Sequence, residues 1–140
     1  MSGVSVIWYL IKTNSPVLAV VPAARIMAGD LPVKMALPAI SITQISSVPY
    51  NLLRTNESNK MHTDRVQASV LFKGVGEGTG YPGLKAMMKL VLAACPGQRG
   101  IVNGVVVDSI TPGLEGPDLY DDAFGVYSQS RDFLVRWIAA

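Results

Sequence analysis

The spacing of apolar residues changes from every second residue to about every 3.6 residues between positions 63 and 95, and this change restricts the fold more than any other feature. In Thr63–Lys73, alternate residues from Val66 to Phe72 are apolar, which is typical of a half-buried strand. From position 84 onward the spacing is helical, with apolar residues at Leu84, Met87, Met88, Val91, Leu92 and Cys95. The sequence therefore predicts a strand followed by an amphipathic helix over Pro82–Cys95.

Four further segments complete the predicted elements. Val4–Asn14 has one apolar helical face, and Ala39–Ser47 is rich in β-branched residues. Ile101–Ile110 predicts a strand with a turn near Asn103-Gly104, and Val126–Ile138 alternates as a long closing strand. Adjacent strands without a crossover helix favour an antiparallel arrangement. We therefore expect an α+β domain, with two helices on one face of a four- to five-stranded antiparallel sheet.

The composition indicates association with other subunits. The 140 residues predict a single domain over positions 1–140, of which 49% are apolar and 16% charged. A small domain hides that much apolar surface poorly, so we expect copies of the chain to cover part of it. A net charge of +2 predicts no extended nucleic-acid surface. With one cysteine, no secretory signal and no run long enough to span a bilayer, we expect a soluble intracellular chain without a membrane partner.

Two polar segments, at about 50–62 and 111–125, are predicted to be flexible loops. Long loops in compact domains often contact partners. The expected partner-contact residues are the polar side chains of these loops: Asn51, Arg54, Asn56, Glu57, Lys60, Glu115, Asp118, Asp121 and Asp122. The acidic group lacks the spacing of a calcium-binding loop, so a solvated or partner-contacting loop is the preferred interpretation.

Residues 76–83 read G-E-G-T-G-Y-P-G, and from Gly78 to Gly83 they match the G-x-G-x-x-G pattern of a dinucleotide-binding loop. That fold also needs parallel strands and an acidic residue about 20 positions further on, where this chain has Ile101-Val102-Asn103. Pro82 removes one amide that a phosphate would bind. We therefore favour a flexible strand-to-helix connector, with a small nucleotide-binding enzyme as the alternative.

No group of residues predicts catalysis or metal binding. His62, the single histidine, falls in a predicted polar loop and is expected at the surface, and Cys95 is expected to be a buried thiol. One histidine and one cysteine cannot form a structural zinc site. The basic residues around the first pair of strands are interpreted as its solvated face: Arg54, Lys60, Arg65 and Lys73. We expect no cofactor and no enzymatic activity.

Three short motifs occur in a distinctive order. An L-P-A-I strand start lies at Leu37–Ile40, and an R-V-Q strand start lies at Arg65–Gln67, before the long helix. The closing strand then carries Tyr127, Ser130, Asp132, Phe133 and Val135. This order, from about Val4 to Trp137, resembles the tail-completion, or tail-terminator, proteins of tailed bacteriophages. The glycine-rich connector at 74–83 and the pair Leu71-Phe72 depart from the family pattern.

The resemblance implies a small α+β subunit that assembles as a closed ring, usually a hexamer. Such a ring caps the tail tube, ends its polymerisation and joins the tail to the head connector. The implied partners are further copies of the chain, the tail tube protein and a connector or neck protein. DNA would pass through the ring without sequence-specific binding. The implied location is the tail or neck of a virion assembled in the host cytoplasm, and another neck or tube subunit is the nearest alternative.

Overall fold

The computed structural model describes residues 2–32, 34, 36–50, 61–74, 80–97 and 100–138. A short 3-10 turn, Ala23–Arg25, precedes the first strand. The other elements, in chain order, are α1 (Ser2–Lys12), α2 (Ser15–Leu18), β1 (Ile26–Ala28), β2 (Ala39–Tyr50), β3 (Met61–Lys73), α3 (Gly80–Ala94), β4 (Gly100–Val102), β5 (Val105–Glu115), β6 (Leu119–Asp121) and β7 (Val126–Ile138).

The strands of the described residues form one sheet in the order β1-β2-β3-β7-β5-β4, and β6 also pairs with β7. All pairs are antiparallel except β1 with β2, which run in parallel. The expected purely antiparallel sheet of four to five strands is therefore wrong, because seven strands form a mixed sheet. The two unexpected strands, β1 and β6, have three residues each, too few to produce a recognisable alternation.

Both long helices pack against the centre of this sheet. α1 and α3 each contact β3 and β7, and they also contact each other. One hydrophobic core includes Ile7 and Ile11 from α1 and Leu84 and Val91 from α3, together with the alternate apolar residues of β3. The α+β class expected from the sequence is therefore confirmed, with α2 as an additional short helix.

Local sequence signals position one turn and the start of one helix. Asn103 and Gly104 have φ values of 49° and 77°, so the two-residue loop between β4 and β5 uses the left-handed conformations that asparagine and glycine favour. The predicted turn there is confirmed. At the start of α2, Asn14 is the capping residue. The side-chain oxygen of Asn14 accepts a hydrogen bond of 3.2 Å from the amide of Val17.

The predicted loop at 111–125 contains strands over much of its length. β5 continues to Glu115 and pairs with β7 as far as Arg131, while β6 pairs with the beginning of β7. The register shifts between Pro112 and Glu115, and this irregularity accommodates the proline and glycine that made the segment look like a loop. Of the other predicted loop, 50–62, the end residues belong to β2 and β3, and residues 51–60 lie outside the described part of the chain.

Asp64 joins α1 to the sheet. Its side chain is buried, with 1% exposed, and accepts hydrogen bonds from the Gly3 amide at 3.0 Å and the Trp137 indole at 2.8 Å. The Ser47 hydroxyl donates a third hydrogen bond. A Cβ on Gly3 would lie 2.6 Å from the Asp64 Cβ, so only glycine fits here. The carboxylate also lies at the positive end of the α1 dipole.

Replacing Asp64 with alanine should lower the free energy of unfolding by about 3 kcal/mol, because two buried N–H donors lose their acceptor. Asp64→Asn should cost less, since its amide oxygen still accepts hydrogen bonds from these donors. Urea denaturation measures both effects. The exposed Asp30→Ala is the matched control and should change stability by no more than about 0.5 kcal/mol. Equal stability of Asp64→Ala and the control would contradict the anchoring role.

Candidate functional site

Exposed apolar side chains are concentrated in residues 114–125, which we name the tip. Leu114 is 66% exposed and Phe124 is 77% exposed, and Leu119 and Tyr120 are exposed by about half. Scattered exposed apolar residues are ordinary on a soluble protein, but four large ones within twelve residues of the chain make this segment a candidate contact surface. The tip is therefore the candidate functional site of the described residues.

Hydrogen bonds and ring contacts hold the tip in place. The turn between β6 and β7 is closed by the Gly125 amide, which donates to the Asp121 carbonyl at 2.7 Å. The Ala123 amide donates to the Asp121 carboxylate at 3.0 Å. The ring centroids of Tyr120 and Tyr127 are 4.5 Å apart, which connects β6 to the central strand β7. The exposed Phe124 side chain is thus presented by an ordered turn.

Two of the acidic residues predicted to contact partners also pair with side chains of their own chain. Glu115 lies 3.2 Å from the guanidinium of Arg131. The Asp118 carboxylate accepts hydrogen bonds from Lys85 at 2.6 Å and Tyr81 at 2.8 Å. The hydrogen bond from Lys85, followed by the one from Tyr81, lowers the pKa of Asp118, and the same contact with Asp118 raises the pKa of Lys85. These pairs fasten the tip to α3 and β7, and solvent screens them because they are exposed.

The tip lies within the predicted partner-contact segment 111–125, and the partner contacts of Glu115, Asp118, Asp121 and Asp122 stay a prediction. Asp121 stabilises the turn and Asp122 is exposed. Glycine and proline dominate the segment 111–125, so its apolar residues form no recognisable pattern in the sequence. The sequence signal for a contact surface here is the occurrence of the large apolar residues Leu119, Tyr120 and Phe124 among acidic residues. The other expected contact residues, Asn51, Arg54, Asn56, Glu57 and Lys60, lie outside the described residues, so their role stays a prediction.

The surface of the described residues carries two grooves. One, of about 560 Å³, lies between the connection from β1 to β2 and the tip, and Leu31, Pro32 and Phe124 are among its lining residues. The other, of about 250 Å³, lies between α1 and β1. It is lined by Ser5, Trp8, Ile26, Met27 and Ala28. Both are largely apolar, and the second lies beside the charged Lys12, whose ammonium is 4.2 Å from the centre of the Trp8 ring.

Asp132, from the closing-strand motif, has a structural role. It is buried and accepts hydrogen bonds from Arg65 at 2.7 Å and from Gln67 at 3.3 Å. Gly113 approaches it so closely that a Cβ would lie 3.1 Å from the Asp132 Cβ. Arg65 is therefore more than a solvated strand residue, because it neutralises a buried carboxylate on the face of the sheet opposite the helices.

His62 does not lie in a loop, contrary to the expectation. β3 begins at Met61, and the half-buried imidazole of His62 stacks on Trp137 with ring centroids 4.4 Å apart and planes 11° apart. Within the described ranges, no group of three or more histidine, cysteine or acidic residues is arranged to hold a metal ion. Among the helices of those ranges, none is long and apolar enough to cross a membrane.

The glycine-rich segment leads from β3 into α3. Residues 75–79 lie outside the described part, and Gly80 begins α3 with a φ of 76°. β3 is antiparallel to both of its neighbours, so α3 does not connect two adjacent parallel strands as a dinucleotide-binding helix does. This arrangement favours the connector interpretation of the segment.

Comparison with models of known protein families gives no match, and comparison with curated proteins gives none either. Among solved structures, a similar chain belongs to the virion of a native gene transfer agent particle. The similarity covers 99% of this chain and 96% of that chain, with a TM-score of 0.70 and 10% sequence identity. At this identity the comparison establishes a shared fold.

Cys95 is buried in the core, as predicted. Burial raises the pKa of its thiol from 9.0 to about 12. Because the folded-state pKa is the higher one, the thiol favours the folded state fully below pH 9.0, and this contribution is lost as the pH rises toward the folded value. No neighbouring base or cation lowers this pKa, so the thiol has no sign of an activated nucleophile.

Between pH 9.0 and about 12, the free energy of unfolding of the wild type should fall more steeply than that of Cys95→Val. The difference in slope should approach about 1.4 kcal/mol per pH unit. Urea denaturation over this range measures it, and comparison with the variant cancels the titration of tyrosines and lysines. Parallel pH profiles would contradict a neutral buried thiol.

Proposed function

We propose that this chain is a structural subunit of a phage-like virion. The observation that carries the proposal is the fold similarity to a chain of the gene transfer agent virion, which extends over nearly the whole of both chains. The exposed apolar tip supports it, since a subunit built into a particle covers such a surface with its neighbours. A structural role also suits a chain whose described residues show no metal-ligand cluster.

Within that class, the proposed role is that of a tail terminator. The supporting observation is the order of motifs at Leu37–Ile40, Arg65–Gln67 and Tyr127–Val135. Copies would form a ring, proposed to be a hexamer, that ends the tail tube and binds a connector or neck protein while DNA passes through. Assembly would take place in the host cytoplasm. The polar residues of 51–60 and the tip are the proposed contact surfaces.

A tail tube subunit or another neck subunit would also assemble from repeated copies of this chain. The two roles differ in how the isolated chain associates, because a tube subunit adds to itself without limit whereas a terminator forms a closed ring. Measurement of the mass of the purified chain in solution separates them. A single discrete oligomer favours the terminator, and an open distribution of long polymers favours the tube subunit.

Deleting the coding sequence from the genome that encodes this chain should give overlong tails or heads without tails in electron micrographs. Without the chain, nothing would end the growth of the tail tube, and nothing would join the tail to the head. Wild-type chain supplied from a plasmid should restore normal particles, which serves as the control. Mass spectrometry of purified normal particles should detect the chain. Normal particles from the deletion strain would contradict the proposal.

The alternative of a different class, a nucleotide-binding enzyme that uses Gly78–Gly83, is tested directly by thermal shift. NAD, NADP, ATP and GTP should each leave the Tm of the purified chain unchanged. A ligand that binds only the folded state raises Tm as its concentration exceeds Kd. A saturable rise in Tm with any of the four would favour the enzyme over the virion subunit.

A further inference from the structure

The sheet places β1 and β6 on opposite lateral sides at the same end. In one row across the sheet, Ile26 of β1 pairs with Ile40, Ile40 with Val70, and Val70 with Gln129 of β7. In the next row, Ser128 of β7 pairs with Leu119 of β6. Because β3 occupies one side of β7 along its whole length, β6 lies on the other side. β1 and β6 therefore lie at the same level on opposite sides of the β3–β7 pair.

The β1 side combines an apolar groove with basic residues. We name this surface the β1 edge: Trp8, Lys12, Arg25, Ile26 and Met27. Trp8, Ile26 and Met27 line the groove of about 250 Å³, and the ammonium of Lys12 lies 4.2 Å from the centre of the Trp8 ring. The first 38 residues contain three basic residues (Lys12, Arg25, Lys34) and one acidic residue, Asp30. The β1 edge is therefore apolar and positively charged.

The tip has the opposite charge and a matching apolar character. Residues 114–125 contain four acidic residues (Glu115, Asp118, Asp121, Asp122) and no basic residue. Arg131 and Lys85 neutralise Glu115 and Asp118 within the chain, whereas Asp121 and Asp122 are exposed beside Phe124. An exposed phenylalanine beside carboxylates is complementary to an apolar groove that lies beside the ammonium of Lys12.

We propose that the tip of one copy docks on the β1 edge of a second copy. Phe124 enters the groove beside Trp8, and Asp121 and Asp122 face Lys12 and Arg25. Each copy uses two different surfaces, so the contact repeats from copy to copy and gives a ring or an open chain. A standard interface covers about 800 Å² on each partner. Two such surfaces would cover about one fifth of the 8013 Å² of this chain.

The inference rests on the self-association contained in the proposed function and adds which surfaces meet. Measurement of mass by analytical ultracentrifugation tests it with Phe124→Asp in the tip and Met27→Asp in the β1 edge. The wild type should be oligomeric and each variant alone monomeric. An equimolar mixture of the two should give a dimer and nothing larger, because only one intact contact remains between the intact tip of one variant and the intact edge of the other.

Further variants serve as controls for this test. Val48→Asp changes an exposed apolar residue of β2 away from both surfaces and should keep the wild-type mass. Since Met27 is half-buried, the exchange Lys12→Glu with Arg25→Glu provides a second edge variant that spares the groove. That double variant should dissociate, and mixing it with Asp122→Lys, which keeps the Asp121 carboxylate that holds the turn, should restore association through the reversed charges.

The outcomes separate this inference from the proposed function. A wild-type oligomer that keeps its mass in the tip and edge variants would overturn the inference and leave the virion role standing. A wild type that stays monomeric to about 1 mM, the range of very weak contacts, would also overturn it. A monomeric mixture of the two variants would overturn the head-to-tail geometry. Normal particles from the deletion strain would instead overturn the virion role, whatever the masses.

Discussion

The antiparallel pairing of β3 with β7 is the contact on which the rest of the structure depends. All thirteen residues of β3 pair with β7, from Met61 opposite Ile138 to Lys73 opposite Val126. β2 adds to the free side of β3, and β5 and β6 add to the free side of β7. α1 and α3 cover the apolar face of the same two strands. The sheet therefore grows outward from one rigid pair, and Asp64 fastens α1 to it.

The pairing of β3 with β7 also explains how a small chain can hold exposed apolar side chains in an ordered segment. β5 pairs with β7 from Arg131 to Ile138 and β6 pairs with its first residues, so the tip is attached to a strand that is paired on both sides. Ion pairs from Glu115 to Arg131 and from Asp118 to Lys85 fix the segment at two further points. Glu115 and Asp118 thus stabilise the tip, while its large apolar side chains stay exposed.

The sequence predicted the parts of the fold that local periodicity determines. The alternation in β3 and β7, the helical stripe of α3 and the turn at Asn103-Gly104 all appear in the structure. β1 and β6 are three residues long and exist only because a neighbouring strand is present. Asp64 gives no signal in the sequence and His62 is expected at the surface, since their partners Gly3 and Trp137 are distant in the chain. Such pairings follow from the assembled sheet and leave no local pattern.

The central claim is that the tip is a contact surface in an assembled particle, and amide hydrogen exchange tests it most directly. Exchange rates of residues 114–125 would be measured in the purified chain and in the chain within intact particles. Strong additional protection of this segment is expected in particles, because neighbouring proteins would exclude water from it. Equal exchange of the tip in both states would contradict the claim.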